Sequence, residues 1–170
     1  ILKNNLRAKR IEDLPIPLVI AATNFKEGKI EYLEEGDLVQ ALLVSSSIPI
    51  VFEINEFNGI PYFDGGVMNN LPIEPIRELC KNLIAVHVNP LSKDARLGGP
   101  IQVAERAFHL AIASDITPKK KYIDHFIEPA ALVKYGLFDI KRAKEVYLIG
   151  YETARAYLSD LSSKKMRGKQ

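Results

Sequence analysis

The sequence predicts an α/β domain built on a largely parallel sheet, and three observations predict it. Leu18–Thr23 and Leu83–Val88 are short continuous apolar runs, the pattern of strands covered on both faces. A short helix precedes the second run, and helix followed by apolar strand is the rhythm of parallel α/β folds. The chain has 170 residues, 47% hydrophobic and 26% charged, the composition of a globular domain able to bury a sizeable core.

The elements follow in order. After Leu18–Thr23, Glu27-Gly28 offers a turn into Lys29–Leu33, whose alternation fits a half-exposed strand; the two make a hairpin at or near a sheet edge. Asp37 is placed to N-cap a helix carrying Leu38, Ala41, Leu42 and Val44, which closes at Ser45-Ser46-Ser47 before Pro49. Ile50–Phe57 and Ile60–Phe63 flank Asn58-Gly59, a type I′ turn signal because both central residues tolerate φ > 0. Pro72 and Pro75 precede a short helix over Ile76–Cys80, and Leu83–Val88 is the second buried-type strand. Ile101, Ala104, Phe108, Ala111 and Ile112 recur at helical spacing up to Thr117-Pro118. His125–Ile127 reads as a last short strand. Asp139 caps a long final helix with a buried stripe of Ala143, Tyr147, Tyr151, Ala154 and Leu158.

Composition and charge exclude several classes of function. The single cysteine, Cys80, forms no internal disulfide, which favours a reducing compartment, here read as cytoplasmic, or a fold that needs no staple. No apolar run approaches the roughly 20 residues that span a bilayer, and no signal-peptide pattern stands at the start. Lys3, Arg7, Lys9 and Arg10 gather at one end, and Lys164, Lys165, Arg167 and Lys169 at the other. Taking these eight from the 23 bases leaves fewer bases than the 21 acids, so the body is acidic and offers nucleic acid no basic groove. The basic ends read first as solvated termini, with peripheral contact to an anionic membrane as the alternative. Lys119-Lys120-Lys121 reads the same way, as a solvated turn.

Asp64-Gly65-Gly66 is the most informative triplet. A carboxylate at the carboxyl end of a strand lies where open α/β sheets place ligands, and two glycines let the backbone turn sharply and approach closely. An ordinary Asp-Gly turn is the bland reading of the triplet alone. Val44–Phe52 precedes Tyr62–Pro72 by a short hairpin, so Ser45, Ser46, Pro49, Phe52, Asp64, Gly65, Gly66, Asn70 and Pro72 follow in a fixed order. This order resembles the C-terminal portion of the patatin-like phospholipases, serine–aspartate lipid acyl hydrolases. Ile20–Thr23 through Gly28 and Gly150-Tyr151 with Ala154 extend the likeness to about residues 15–158, with Asn24 where an Asp is frequent.

The resemblance implies a three-layer α/β/α fold with a mainly parallel central sheet, and a two-residue active site. Asp64 would take the proton from a serine hydroxyl that attacks a phospholipid or lysophospholipid acyl ester, with water the final acceptor and no cofactor or metal required. Gly65 and Gly66 would shape the loop; Ser45, Ser46, Pro49 and Asn70 would lie near the pocket. The chain departs from the family where the nucleophile belongs: it holds no Gly-x-Ser-x-Gly elbow and no glycine-rich oxyanion loop. Together with a first residue, Ile1, that is not Met, this implies a C-terminal portion over residues 1–161 with a polar, basic tail over 162–170. Its partner would be the missing N-terminal half, which would carry the serine; oligomeric state stays open.

The remaining candidates have bland readings. Ser45, Ser46 and Ser47 satisfy backbone groups at a helix end. His87, His109 and His125 share no metal-ligand spacing and read as structural, Cys80 has no neighbours for a zinc site, and Tyr147 and Tyr151 belong to the helix stripe. The competing classes are a non-catalytic α/β binding module that uses the Asp64 turn and an inactive patatin-like relative. A nucleotide-binding version lacks both Gly-x-Gly-x-x-Gly and a P-loop.

Overall fold

Apolar alternation and turn chemistry build most of the first half of the molecule. The computed structural model describes residues 2–49, 51–91, 99–136 and 139–167, and within the helix over 100–119 only part of the side chains. It divides into two compact units, residues 1–79 with 114–116, and residues 80–113 with 117–170.

The first unit opens with a short helix, α1 (Leu2–Asn5), and a 3-10 turn over Ile11–Asp13. β1 (Ile20–Asn24) and β2 (Lys29–Leu33) form the expected hairpin, in the register Ile20↔Leu33 to Asn24↔Lys29. Asn24 closes it: its Oδ1 accepts the backbone N–H groups of Lys26 and Glu27, each at 3.0 Å. Gly28 takes φ 61°, which a residue with a Cβ adopts only at a cost. α2 (Leu38–Ser45) starts as read, the Asp37 Oδ1 accepting the Gln40 N–H at 2.8 Å.

The next hairpin is shorter on one side than expected. The strand foreseen over Ile50–Phe57 is only β3 (Asn55–Phe57), because the N–H groups of Val51 and Phe52 turn back to the Ile48 carbonyl at 3.2 and 3.0 Å; Ile50 lies outside the described residues. Asn58 (φ 51°) and Gly59 (φ 75°) make the foreseen turn into β4 (Ile60–Asp64). The sheet order is β2-β1-β4-β3. Every pairing in it is antiparallel, so the largely parallel sheet expected from the sequence is not what the first unit contains. Consecutive strands joined by two tight hairpins pair antiparallel, and the α/β rhythm begins only later in the chain.

α2 packs against β1, β3 and β4, and the core is Ile11, Ile20, Ala22, Leu33, Leu38, Ala41, Val44, Phe57 and Tyr62. Beyond Asp64 a 3-10 turn over Gly65–Val67 leads to α3 (Glu74–Arg77), two residues ahead of the helix foreseen at Ile76–Cys80. Pro75 explains the early start, since it suits the first turn of a helix, where its missing N–H would have no partner.

In the second unit β5 (Ile84–Val86) pairs in parallel with β6 (His125–Ile127), the short last strand read from the sequence. Leu83, Ala85 and Ile127 are buried, but Ile84 and Val86 are 54% and 55% exposed. Leu83–Val88 is therefore covered on one face, not on both. α4 (Pro100–Lys119) runs just past Pro118 before a 3-10 turn over Lys120–Tyr122. The side chains of Ile101, Ala104, Phe108, His109 and Ile112 are outside the described residues.

α5 (Ala143–Arg167) follows a 3-10 turn over Ile140–Arg142 and continues beyond Ser162, whose hydroxyl donates to the Leu158 carbonyl at 3.0 Å. Two expectations fail here. The Asp139 side chain makes no cap; its backbone carbonyl instead accepts the Arg142 N–H at 3.0 Å in the 3-10 turn. The stripe foreseen as buried is open, with Tyr147 66% and Tyr151 52% exposed and Leu158 also exposed. The two tyrosine rings stack and line an open groove of about 600 Å³ with Val88, Leu132, Tyr135 and Ala143, all in this unit. Among the described residues no helix is long and apolar enough to cross a membrane.

Candidate active site

Asp64 ends β4 as the strand turns into the 3-10 turn of Gly65–Val67. Its main chain is fixed on both sides: the N–H donates to the Ser47 carbonyl at 3.0 Å, and the carbonyl accepts the Thr23 hydroxyl at 2.9 Å. Its Oδ1 accepts the Gly66 N–H at 2.6 Å, a short charge-assisted bond that aims the carboxylate back over its own turn. Burial pushes the carboxyl above its ordinary range, against the opposite pull of the Gly66 N–H. A carboxylate so placed is a stronger base than a free aspartate.

The two glycines are required for space. Neither has a left-handed φ. A Cβ on Gly65 would lie 2.3 Å from the Ala21 carbonyl oxygen, and one on Gly66 would lie 2.8 Å from both Asp64 Oδ1 and Asn70 Oδ1. The loop therefore rests directly on β1, with the Asn70 side chain beside Gly66.

The serine stretch lies alongside, each hydroxyl committed to main chain. Ser45 Oγ donates to the Ala21 carbonyl, Ser46 Oγ to that of Leu42 and Ser47 Oγ to that of Leu43, each at 2.8 Å. Ser47 Oγ also accepts the Asn55 amide at 2.9 Å. Ser45 thus shares β1 residue Ala21 with Gly65, while Ser46 is exposed at the helix end. Pro49 is half-buried in the turn that follows.

Two polar clusters were not foreseen. On the row Asp64↔Ala22↔Glu31 across three strands, Glu31 Oε2 accepts the hydroxyl of buried Tyr62 at 2.5 Å and Oε1 accepts the Asn24 amide at 3.0 Å. The Tyr62 hydroxyl and these neighbours hold the Glu31 carboxyl below its ordinary range, and burial beside Glu31 pushes the Tyr62 phenol up. Three residues after Gly66, Asn69 is 6% exposed and bonds to Tyr32 and Glu74. The doubled Asn69-Asn70 before Pro72 carried the available signal, since one Asn of such a pair can stabilise a turn while its neighbour faces the pocket.

Elsewhere the histidines keep to the second unit. His87 is 5% exposed, with Nδ1 on Glu128 Oε1 at 2.8 Å and Nε2 buried without a hydrogen bond among the described residues. His125 Nδ1 meets the Tyr157 hydroxyl at 3.2 Å. Cys80 is exposed and unpaired, and Lys120 pairs with Glu128 at 3.7 Å while lying over the Phe126 ring.

This Asp-Gly-Gly turn sits within the stretch of chain, residues 1–77, that matches the family model described as Patatin-like phospholipase. The match covers 77 of the 170 residues, just under half of the chain. An uncharacterized NTE family protein of Mycobacterium bovis is 39% identical over 80 residues, 46% of this chain and 22% of the relative. The Lysophospholipase NTE1 of Kluyveromyces lactis is 26% identical over 94% of this chain and 13% of its own length. The protein of that name from Candida albicans is 23% identical over 91% of this chain and 13% of its own length. The chain thus spans between about an eighth and about a fifth of these relatives. The two fungal proteins also align through most of the second unit, beyond the patatin-like segment.

Proposed function

We propose that the protein to which this chain belongs hydrolyses lipid acyl esters, with Asp64 as the base of a serine–aspartate pair. The observation that carries the reading is the Asp64 carboxyl: half-buried at a strand end, raised in basicity, and fixed through Oδ1, while Oδ2 has no hydrogen bond among the described residues. Oδ2 is the atom to which a serine hydroxyl would donate. The serine comes from outside residues 1–170, since these contain no Gly-x-Ser-x-Gly and Ser45, Ser46 and Ser47 spend their hydroxyls on carbonyls.

Asp64 takes the hydroxyl proton as the serine oxygen attacks the ester carbonyl, and the proton passes to the leaving alcohol oxygen as the acyl-serine forms. Water then attacks the acyl-serine, yielding fatty acid and the free hydroxyl. The substrates proposed are phospholipid or lysophospholipid esters, in keeping with the family name and with the two fungal relatives named as lysophospholipases. The chemistry needs no metal or nucleotide.

In this reading the patatin-like domain continues through residue 161 and has the three-layer α/β/α architecture with its parallel strands outside the first unit, while the basic ends make peripheral contact with anionic membrane on the cytoplasmic side. The test is ester hydrolysis by the full-length protein. Asp64→Asn, nearly isosteric, should reduce turnover of a lysophospholipid and of a short-chain ester by at least about 10²-fold, the lower range for a general base. Full turnover by that variant would remove Asp64 from the chemistry and leave the binding-module or inactive-relative reading.

A further inference from the structure

We propose that Asn69 is a positioning residue that holds the Asp-Gly-Gly turn, and through it the direction of the Asp64 carboxylate; the inference rests on the catalytic reading of Asp64. Asn69 ties the turn to itself, to the sheet and to the start of α3. Its backbone N–H donates to the Gly65 carbonyl at 2.9 Å, closing the turn on itself. Its Oδ1 accepts the Leu71 N–H at 3.2 Å, and its Nδ2 donates to the Tyr32 hydroxyl and to Glu74 Oε2, each at 2.9 Å.

The amide orientation follows from these partners. A backbone N–H needs an acceptor and a carboxylate needs a donor, so only one setting of the amide satisfies Leu71 and Glu74 together. Ala21 and Tyr32 are cross-strand partners on β1 and β2. Gly65 rests against Ala21, and Asn69 bonds to Tyr32, so the loop is held at two adjacent points of one sheet row. Between them lies Gly66, whose N–H sets Asp64 Oδ1. Releasing Asn69 frees the Gly65–Asn69 turn, hence the Gly66 N–H, hence the carboxylate. Misplacement of a base by about 1 Å can cost as much as 10²-fold in rate.

The test uses the full-length protein and a charge exchange. Asn69→Asp keeps the acceptor for Leu71 but sets a carboxylate against Glu74. We expect kcat to fall about tenfold or more with KM within about twofold. The acid limb of the pH–rate profile should move toward the ordinary carboxylate range as Asp64 becomes more hydrated. Adding Glu74→Gln restores a donor opposite that carboxylate and should return kcat and the acid limb together. A folded Asn69→Asp variant with unchanged kcat and acid limb overturns the inference, as does a folded double variant that regains nothing. If Asn69→Asp does not fold, Glu74→Ala decides, because Glu74 is exposed: a kcat drop of about threefold with KM held supports the inference, and no change overturns it. Asp64→Asn run in parallel separates the two levels. Its retained activity defeats the hydrolase reading, whereas its inactivity beside an unaffected Asn69→Asp defeats only the positioning role.

Discussion

The two units treat their apolar residues differently. In the first, the centre of the strands and of the α2 stripe is buried: Ala22, Ala41 and Val44 have no exposed surface, and Tyr62 is enclosed with its hydroxyl paired to Glu31, while Val51, Phe52 and Ile54 ahead of β3 stay about half exposed. In the second, comparable runs on β5 and α5 leave Ile84, Val86, Tyr147 and Tyr151 open. An apolar stripe records that residues require cover, but says nothing of which element supplies it. Hairpins and the Asp37 cap bring cover to the first unit from close in sequence. The parallel pair β5–β6 is closed by two short strands almost forty residues apart, with nothing in that pattern to name what lies over Ile84 and Val86.

The sharpest way to break this contrast is at Gly65. Gly65→Ala forces a Cβ against the Ala21 carbonyl, where backbone gives way only by moving the loop. It should destabilise the protein by about 3 kcal/mol in urea denaturation, the upper part of the usual overpacking range. An unperturbed midpoint would mean that the loop is free to leave β1. Tyr62→Phe should cost about 1–2 kcal/mol, because it strips the Glu31 carboxylate of a short bond inside the core. Glu31 is held below its ordinary range, so its contribution is present above that range and is lost as the pH falls through the lowered value. The difference between Tyr62→Phe and the parent should therefore narrow in acid, and a constant difference would point to packing alone. The smallest effect belongs to the second unit. Ile84→Thr, at an exposed strand position, should change stability by no more than about 0.5 kcal/mol. A large loss there would show that Ile84 is covered in the intact protein.

What the sequence made legible follows the same division. Both tight turns and the Asp37 cap are readable because each depends on residues within a few positions: Asn58-Gly59 for φ and Asp37 for an orphan N–H. The space that Gly65 requires is set from far away in sequence, by Ala21. The sheet's direction is not readable, because continuous apolar runs suit a central antiparallel strand as well as a parallel one, and β1 is central between β2 and β4. Nor is the exposure of Tyr147 and Tyr151, since helical spacing fixes a face and leaves its covering open. At the site, Asp64 and its glycines stand out by their order in the chain. The sequence does not separate Asn69 from Asn70, because the partners that distinguish them, Tyr32 and Glu74, come from a strand 37 residues away and from a helix start.

In the proposed mechanism, Asp64 activates a serine that these 170 residues do not contain. The rate at which a fluorophosphonate modifies the full-length protein tests it most directly, since that reaction reads nucleophile activation without requiring lipid binding. The expected result is labelling of a serine outside this chain, slowed at least about 10²-fold by Asp64→Asn in a folded variant. Equal labelling of the variant and the parent, or labelling of the 170-residue chain alone, would contradict it.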